Sequence, residues 1–140
     1  MRGVHSAILL AAISLLTACS QSSLHDDELP LDQHLAKLGL RQGAAVKSIP
    51  VWDTGGWQYL DKGHIVLGQS PGQRYLVAFS SPCNNLAFSN RLNISNTAGA
   101  VTTLDRIISI DSAGIPEPCL IGRLYELEPV PRKPQRESGY

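Results

Sequence analysis

The residues of this 140-residue chain that could do covalent chemistry are few: Cys19, Cys83 and Cys119, and an Asp53-Thr54-Gly55 tripeptide. Cys19 is the most telling of them. It closes the tetrapeptide Leu16-Thr17-Ala18-Cys19, at the end of an apolar run that begins at Ala7 behind the cation Arg2. A basic start, an apolar stretch too short to span a bilayer and small residues before the cut are what a secretory signal requires. A cysteine at the cut adds a nucleophile, whose thiol takes a diacylglyceryl group and becomes the acylated first residue of the mature protein. Residues 1–18 therefore read as a lipoprotein signal peptide with Cys19 as the lipid attachment point. An ordinary cleaved signal and an uncleaved anchor are the rival readings.

Three acyl chains, at about 0.8 kcal/mol per buried methylene, hold a small domain on a membrane without a transmembrane helix. Ser20 follows the cysteine. In bacterial lipoproteins that this segment resembles, an aspartate there favours the inner membrane, so its absence predicts an outer-membrane lipoprotein facing the periplasm. Lipidation consumes Cys19 and leaves Cys83 and Cys119 in an oxidising compartment, where a structural disulfide is the expected outcome. Free thiols and a metal or redox role are the alternatives. A redox pair normally sits close in sequence near a helix start, and His25, His34 and His64 show no ligand spacing around either cysteine. No metal and no cofactor are expected.

Removing residues 1–18 leaves 122, enough for one domain with a real core. Twelve basic residues balance twelve acidic ones, and loss of Arg2 makes the mature chain about −1. That balance offers no bulk attraction to nucleic acid or to anionic lipid. Residues 19–30 are polar, rich in Ser and Asp, and read as a flexible tether. Residues 31–128 then form a single β-rich domain, and 129–140, with three prolines and three cations, a disordered tail.

Within the domain, Leu31, Leu35 and Leu38 recur at helical spacing between Asp32 and Gly39, which predicts one short amphipathic helix. Strands are expected over Ala45–Val51, Gly56–Leu60, His64–Leu67, Arg74–Phe79, Arg91–Ser95, Asp105–Ile110 and Leu120–Leu127. Asp61-Lys62-Gly63 and Ser70-Pro71-Gly72 supply hairpin turns, and Cys83–Ser89 suits a helical turn. Tyr75, Val77 and Phe79 alternate with Leu76 and Ala78, so that strand has two apolar faces and belongs in the middle of a sheet; Ile107, Ile108 and Ile110 read the same way. The fold class is mainly β: a small antiparallel barrel or sandwich with one short N-terminal helix, stapled by one disulfide.

Trp57-Gln58-Tyr59-Leu60, Arg74-Tyr75-Leu76-Val77, Cys83 with Leu86, Leu104-Asp105-Arg106-Ile107, and Cys119-Leu120-Ile121 with Leu124-Tyr125 follow one another in order. The series resembles a proteobacterial family of small secreted or lipidated envelope proteins of unknown function, over about Val46 to Leu127. Leu120 departs from it, standing where the family often has a basic residue. The resemblance supports the domain limits and the disulfide and implies no catalytic residue. Two of its residues have a binding role in competition with a structural one. Trp57, with Trp52 and Tyr59, suits either a sugar-stacking platform or packing under a sheet. Asp105 suits either a ligand contact or hydrogen bonding to a turn, with Arg106 as a neighbouring cation.

Asp53-Thr54-Gly55 resembles the active-site loop of retropepsin-type aspartic proteases, and Leu120-Ile121-Gly122-Arg123 their later apolar-apolar-Gly-Arg segment. Those enzymes are small β-rich domains whose dimer shares a proton between two aspartates. Gly56 stands where that family prefers Ala or Ser, and Trp52 and Trp57 crowd the loop. Asp-Thr-Gly is also ordinary turn chemistry. The leading expectation is a lipid-anchored envelope protein that is not an enzyme and binds a protein, cell-wall or lipid partner. A dimeric aspartic protease using Asp53 and a small-ligand binder inside a barrel are the alternatives.

Overall fold

The computed structural model describes residues 29–69 and 71–131. The signal segment, Cys19, nearly all of the tether and the tail from Arg132 lie outside the described residues. Chain order begins with α1 (Leu31–Lys37), which has Asp32 in its first turn and Lys37 in its last, as the helix dipole favours. Gly39, at φ +68°, turns the chain out of the helix.

Nine strands follow among the described residues: β1 (Leu40–Val46), β2 (Ser48–Pro50), β3 (Trp57–Asp61), β4 (His64–Leu67), β5 (Arg74–Phe79), β6 (Ser89–Ile94), β7 (Ala100–Thr102), β8 (Arg106–Asp111) and β9 (Pro116–Pro129). Single 3-10 segments, Val51–Asp53 and Asn84–Phe88, follow β2 and precede β6. The main sheet is antiparallel in the order β3-β4-β5-β9-β8-β6 and curls into a half-barrel; β2 and β7 form a separate pair. The mainly β expectation therefore holds, with one α-helix and one disulfide among the described residues.

β9 is the spine of the sheet. Its first residues, Pro116 to Leu120, pair with β8, and Leu124 to Pro129 pair with β1, while its other edge pairs with β5 over Ile121 to Leu127. Gly122 makes this possible. Ala78 pairs with Arg123 and Phe79 with Ile121, so Gly122 is the extra residue of a bulge. A Cβ there would lie 3.0 Å from the Ser80 nitrogen and 3.2 Å from the Ala78 oxygen. Because of the bulge, Ile121 and Leu124 face the same way although three positions apart, and both are buried in the inner core.

That inner core joins Ile65, Leu67, Tyr75, Val77 and Ile107 to Ile49 and Val101 of the small sheet, with Leu86 and the two cysteines. On the outer face, Leu60, Val66, Leu76 and Leu127 pack against Leu35 and Leu40 under the helix. Alternation in β5 thus means what it predicts: Tyr75 and Val77 point in, Leu76 points out, and all three are buried.

Three elements differ from the sequence reading. The strand expected over Ala45–Val51 starts earlier, at Leu40, and breaks into β1, β2 and a 3-10 turn. β7 was not expected at all; its tight turn is Ala98-Gly99, with both residues at positive φ (52° and 80°), and Ala98 replaces the usual Asn at a left-handed position. β9 begins at Pro116 instead of Leu120. The Leu120 carbonyl accepts the Ser80 N–H on the edge away from β8. Two-residue periodicity puts the ring nitrogens of Pro116 and Pro118 on that same edge, where β9 pairs with β5 only from Ile121 onward and no ladder hydrogen bond is lost.

Candidate functional site

A helix of seven residues is only about 10 Å long, and strands lie about 4.8 Å apart, so α1 covers only part of the main sheet. It covers the outer face over β3, β4, β5 and the second half of β9. The outer face of β6, β8 and the first half of β9 has no such cover among the described residues. Register shows what lies there. Ile108 stands between Asn93 and Pro118, Ile110 between Arg91 and Pro116, and Arg106 opposite Leu120. Their neighbours Ile107 and Cys119 are the buried, inward residues. Ile108 and Ile110 are half-buried, and Leu120 is 56% exposed. Arg123, paired with Ala78, adds a further cation on this side of the bulge.

An apolar strip of Ile108, Ile110, Pro118 and Leu120 is therefore bordered by Arg91, Arg106 and Arg123, all exposed. No carboxylate pairs with any of the three arginines among the described residues. Guanidinium groups beside apolar surface are the composition of protein-binding patches, where Arg is enriched and can hold a carboxylate bidentately. The two apolar faces of β8 were legible, and the strand does lie inside the sheet between β9 and β6, but among the described residues no element covers its outer face. The arginines carried no motif in the sequence and come together only through register.

The residues singled out from the sequence are spread over the fold. Trp57 opens β3 opposite Leu67 and, with Tyr59, is half-buried against the inner core. Trp52 is 77% exposed in the 3-10 turn before β3, so the aromatics do not make one platform. Asp53 ends that turn and accepts a hydrogen bond from the Tyr75 hydroxyl at 3.4 Å. Burial, then the nearby Asp53 carboxylate, pushes the Tyr75 phenol above its ordinary value, so it stays a donor. Gly122, the glycine of the protease-like segment, is the bulge described above.

Cys83 and Cys119 are bonded, with Cα atoms 5.6 Å apart, which is ordinary disulfide spacing. The bond ties the segment before Asn84–Phe88 to β9. Glu117 lies beside it, its carboxylate and the two sulfurs within 4.8 Å of one another. Sulfurs bonded to each other offer no thiolate to a metal. Glu117 instead accepts the Asn85 N–H at 2.5 Å and so holds the 3-10 segment in place.

Residues 4–138 match the model of a family of unknown function, DUF6491. The chain belongs to that family. No curated protein and no solved structure matches it. No helix among the described residues of this DUF6491 chain is long and apolar enough to cross a membrane.

Asp105 is the buried polar centre of the DUF6491 domain, 6% exposed at the head of β8. One oxygen accepts from Ser95 Oγ (3.0 Å) and Thr97 Oγ1 (3.3 Å), the other from the Thr102 N–H (2.8 Å) and hydroxyl (2.9 Å). The turn, not Arg106, is its partner. Burial alone would raise its pKa, but the Thr102, Ser95 and Thr97 hydrogen bonds outweigh it and hold the carboxyl below its ordinary value. A carboxylate depressed in the folded state stabilises above its unfolded pKa and loses that contribution as pH falls through the folded one. Asp105→Ala should therefore cost about 1–3 kcal/mol near neutrality, since it strands buried donors. Urea unfolding of both proteins should show the difference shrinking below about pH 4. A gap that stays constant to pH 2 would contradict the charge-assisted role.

Proposed function

We propose that this DUF6491 chain is a lipid-anchored protein of the bacterial envelope, sorted to the outer membrane through Cys19, that acts by binding and not by catalysis. Its docking surface is the outer half-sheet that no described element covers, and its partner is a protein presenting carboxylates around an apolar ridge. The single observation behind this is the strip of Ile108, Ile110 and Leu120 inside a border of three arginines without acidic partners among the described residues, on a chain of formal net charge zero. A local cation cluster on an otherwise balanced protein selects an acidic partner by complementarity. The other polar groups of interest support the same reading by being occupied: Asp105 by Ser95, Thr97 and Thr102, and Asp53 by Tyr75.

The test is site-specific photocrosslinking in cells from position 93, at the border of the strip, and from position 104, where Leu104 is 90% exposed but lies outside it. Position 93 should capture one protein species and position 104 should not. Arg106→Glu should reduce capture at least tenfold, and an acidic-to-basic change in the captured partner should restore it. Equal capture from both positions, a lipid or glycan adduct in place of protein, or indifference to Arg106→Glu would overturn this assignment.

A further inference from the structure

A concavity lies on the covered half of the molecule, between α1 and the edge strand β3. Its volume is about 190 Å3; His34, Lys37 and Leu38 line it from the helix and Gln58, Tyr59 and Leu60 from the strand. His34 is the residue that calls for an explanation. It is only 6% exposed, and its Nδ1, out of reach of solvent, has no hydrogen-bond partner among the described residues. A buried polar atom without a partner is destabilising, and an apolar side chain of similar size would avoid that cost. Packing alone therefore does not account for a histidine there, because Leu35 beside it already carries the apolar contact of the helix.

We propose that this cleft is a binding site for a small carboxylate carried on a short apolar group. The lining supplies donors: the Lys37 ammonium, the Gln58 amide and the His34 ring N–H. Leu38 and Leu60 supply an apolar wall for the rest of the ligand. The neighbouring carboxylate, Asp61, does not compete, since it accepts the Gly63 N–H at 2.7 Å and contacts His64 Nδ1 at 2.8 Å in the β3–β4 turn. β3 is the last strand on its side of the sheet, so no further strand of the described residues closes the mouth. The volume is below the ~300–1,000 Å3 of pockets for drug-sized ligands, which limits the occupant to a fragment of a few heavy atoms. When it enters, rotation of the imidazole about its own axis gives His34 the partner it lacks. Free short-chain acids and the C-terminal carboxylate of a peptide share this chemistry.

The test is an NMR titration of the purified chain, following the His34 imidazole and Leu60 methyl signals. Butyrate and butyramide serve as one pair of probes, and N-acetyl-Ala-Ala with a free or amidated C-terminus as the other. Butyrate should shift both signals with a dissociation constant in the millimolar range, as so small a ligand allows, and butyramide should not. A peptide acid that binds at least tenfold more tightly than butyrate identifies a C-terminus as the natural source; weaker peptide binding identifies a free acid. His34→Phe should abolish the shift at Leu60 while leaving the melting temperature equal or higher, which a merely structural histidine would not do. Lys37→Gln should weaken binding about tenfold. Absence of any shift with either acid, equal shifts with the amides, or full binding by His34→Phe would overturn the site, whatever becomes of the outer half-sheet.

Discussion

Replacing Cys83 and Cys119 together by alanine is expected to lower the stability of the domain by about 2–5 kcal/mol. For a domain of this size that shifts the melting temperature by roughly 10 °C or more. The bond closes a loop of 36 residues, which in the chain-entropy account is worth about 3–4 kcal/mol. That loop contains β6, β7 and β8, so without the bond the unfolded chain regains the freedom of a third of the strands. Packing adds to the loss: both cysteines are almost fully buried beside Leu86, Ile107 and Ile121 in the inner core. The alanine pair isolates these effects, whereas serine would also bury hydroxyl groups. Urea unfolding should show a lower midpoint, and reduction of the wild type with a dithiol should approach the same curve. A double variant within about 0.5 kcal/mol of the wild type would show that the staple is redundant.

Substituting Cys19 by serine is expected to abolish lipidation and delivery to the outer membrane. The thiol is the only nucleophile at the expected cut, and a hydroxyl does not take its place in thioether formation. Mass spectrometry of the wild type should find an acylated N-terminus at Cys19 and no trace of residues 1–18. The variant should accumulate as the uncleaved precursor. Because the described fold begins beyond the tether, thermal unfolding of the domain itself should be unchanged. A released, soluble wild type of lipid-free mass would remove the anchor from the proposed function, and with it the reason to expect a partner at the membrane. Fusing the domain from Ser20 onward to a cleavable signal tests the remaining point: function should weaken through lost local concentration, not through unfolding.

Features that depend on neighbours in sequence could be read directly. The leucine spacing and Gly39 mark the helix, the Asp61-Lys62-Gly63 turn joins β3 to β4, and the double-sided apolar pattern of Arg74–Phe79 places β5 inside the sheet. Asp105 as the acceptor of a turn was also legible, because a carboxylate opening an apolar strand needs donors close by. Features without a local signature were not. Ala98-Gly99 lacks the Asn-Gly signal of its turn, so β7 was missed. Pro116 and Pro118 look like strand breakers until it is known that their nitrogens face an unpaired edge. Gly122 looks like part of an enzyme motif until the register makes it a bulge.

By itself, then, the sequence determined the class of the fold, the cysteine pair and the central place of β5, because periodicity and elimination act on composition and order alone. Which apolar face is covered was decided only in three dimensions. Periodicity shows that Ile108 and Ile110 stand on a second apolar face, but a helix of seven residues reaches across half of a six-strand width, and nothing in its sequence says which half. The chain enters α1 next to β1, on the β9–β5 side, and that attachment buries His34 beside β3 and leaves the arginine-bordered strip without cover among the described residues. Both candidate sites follow from where a short helix lands.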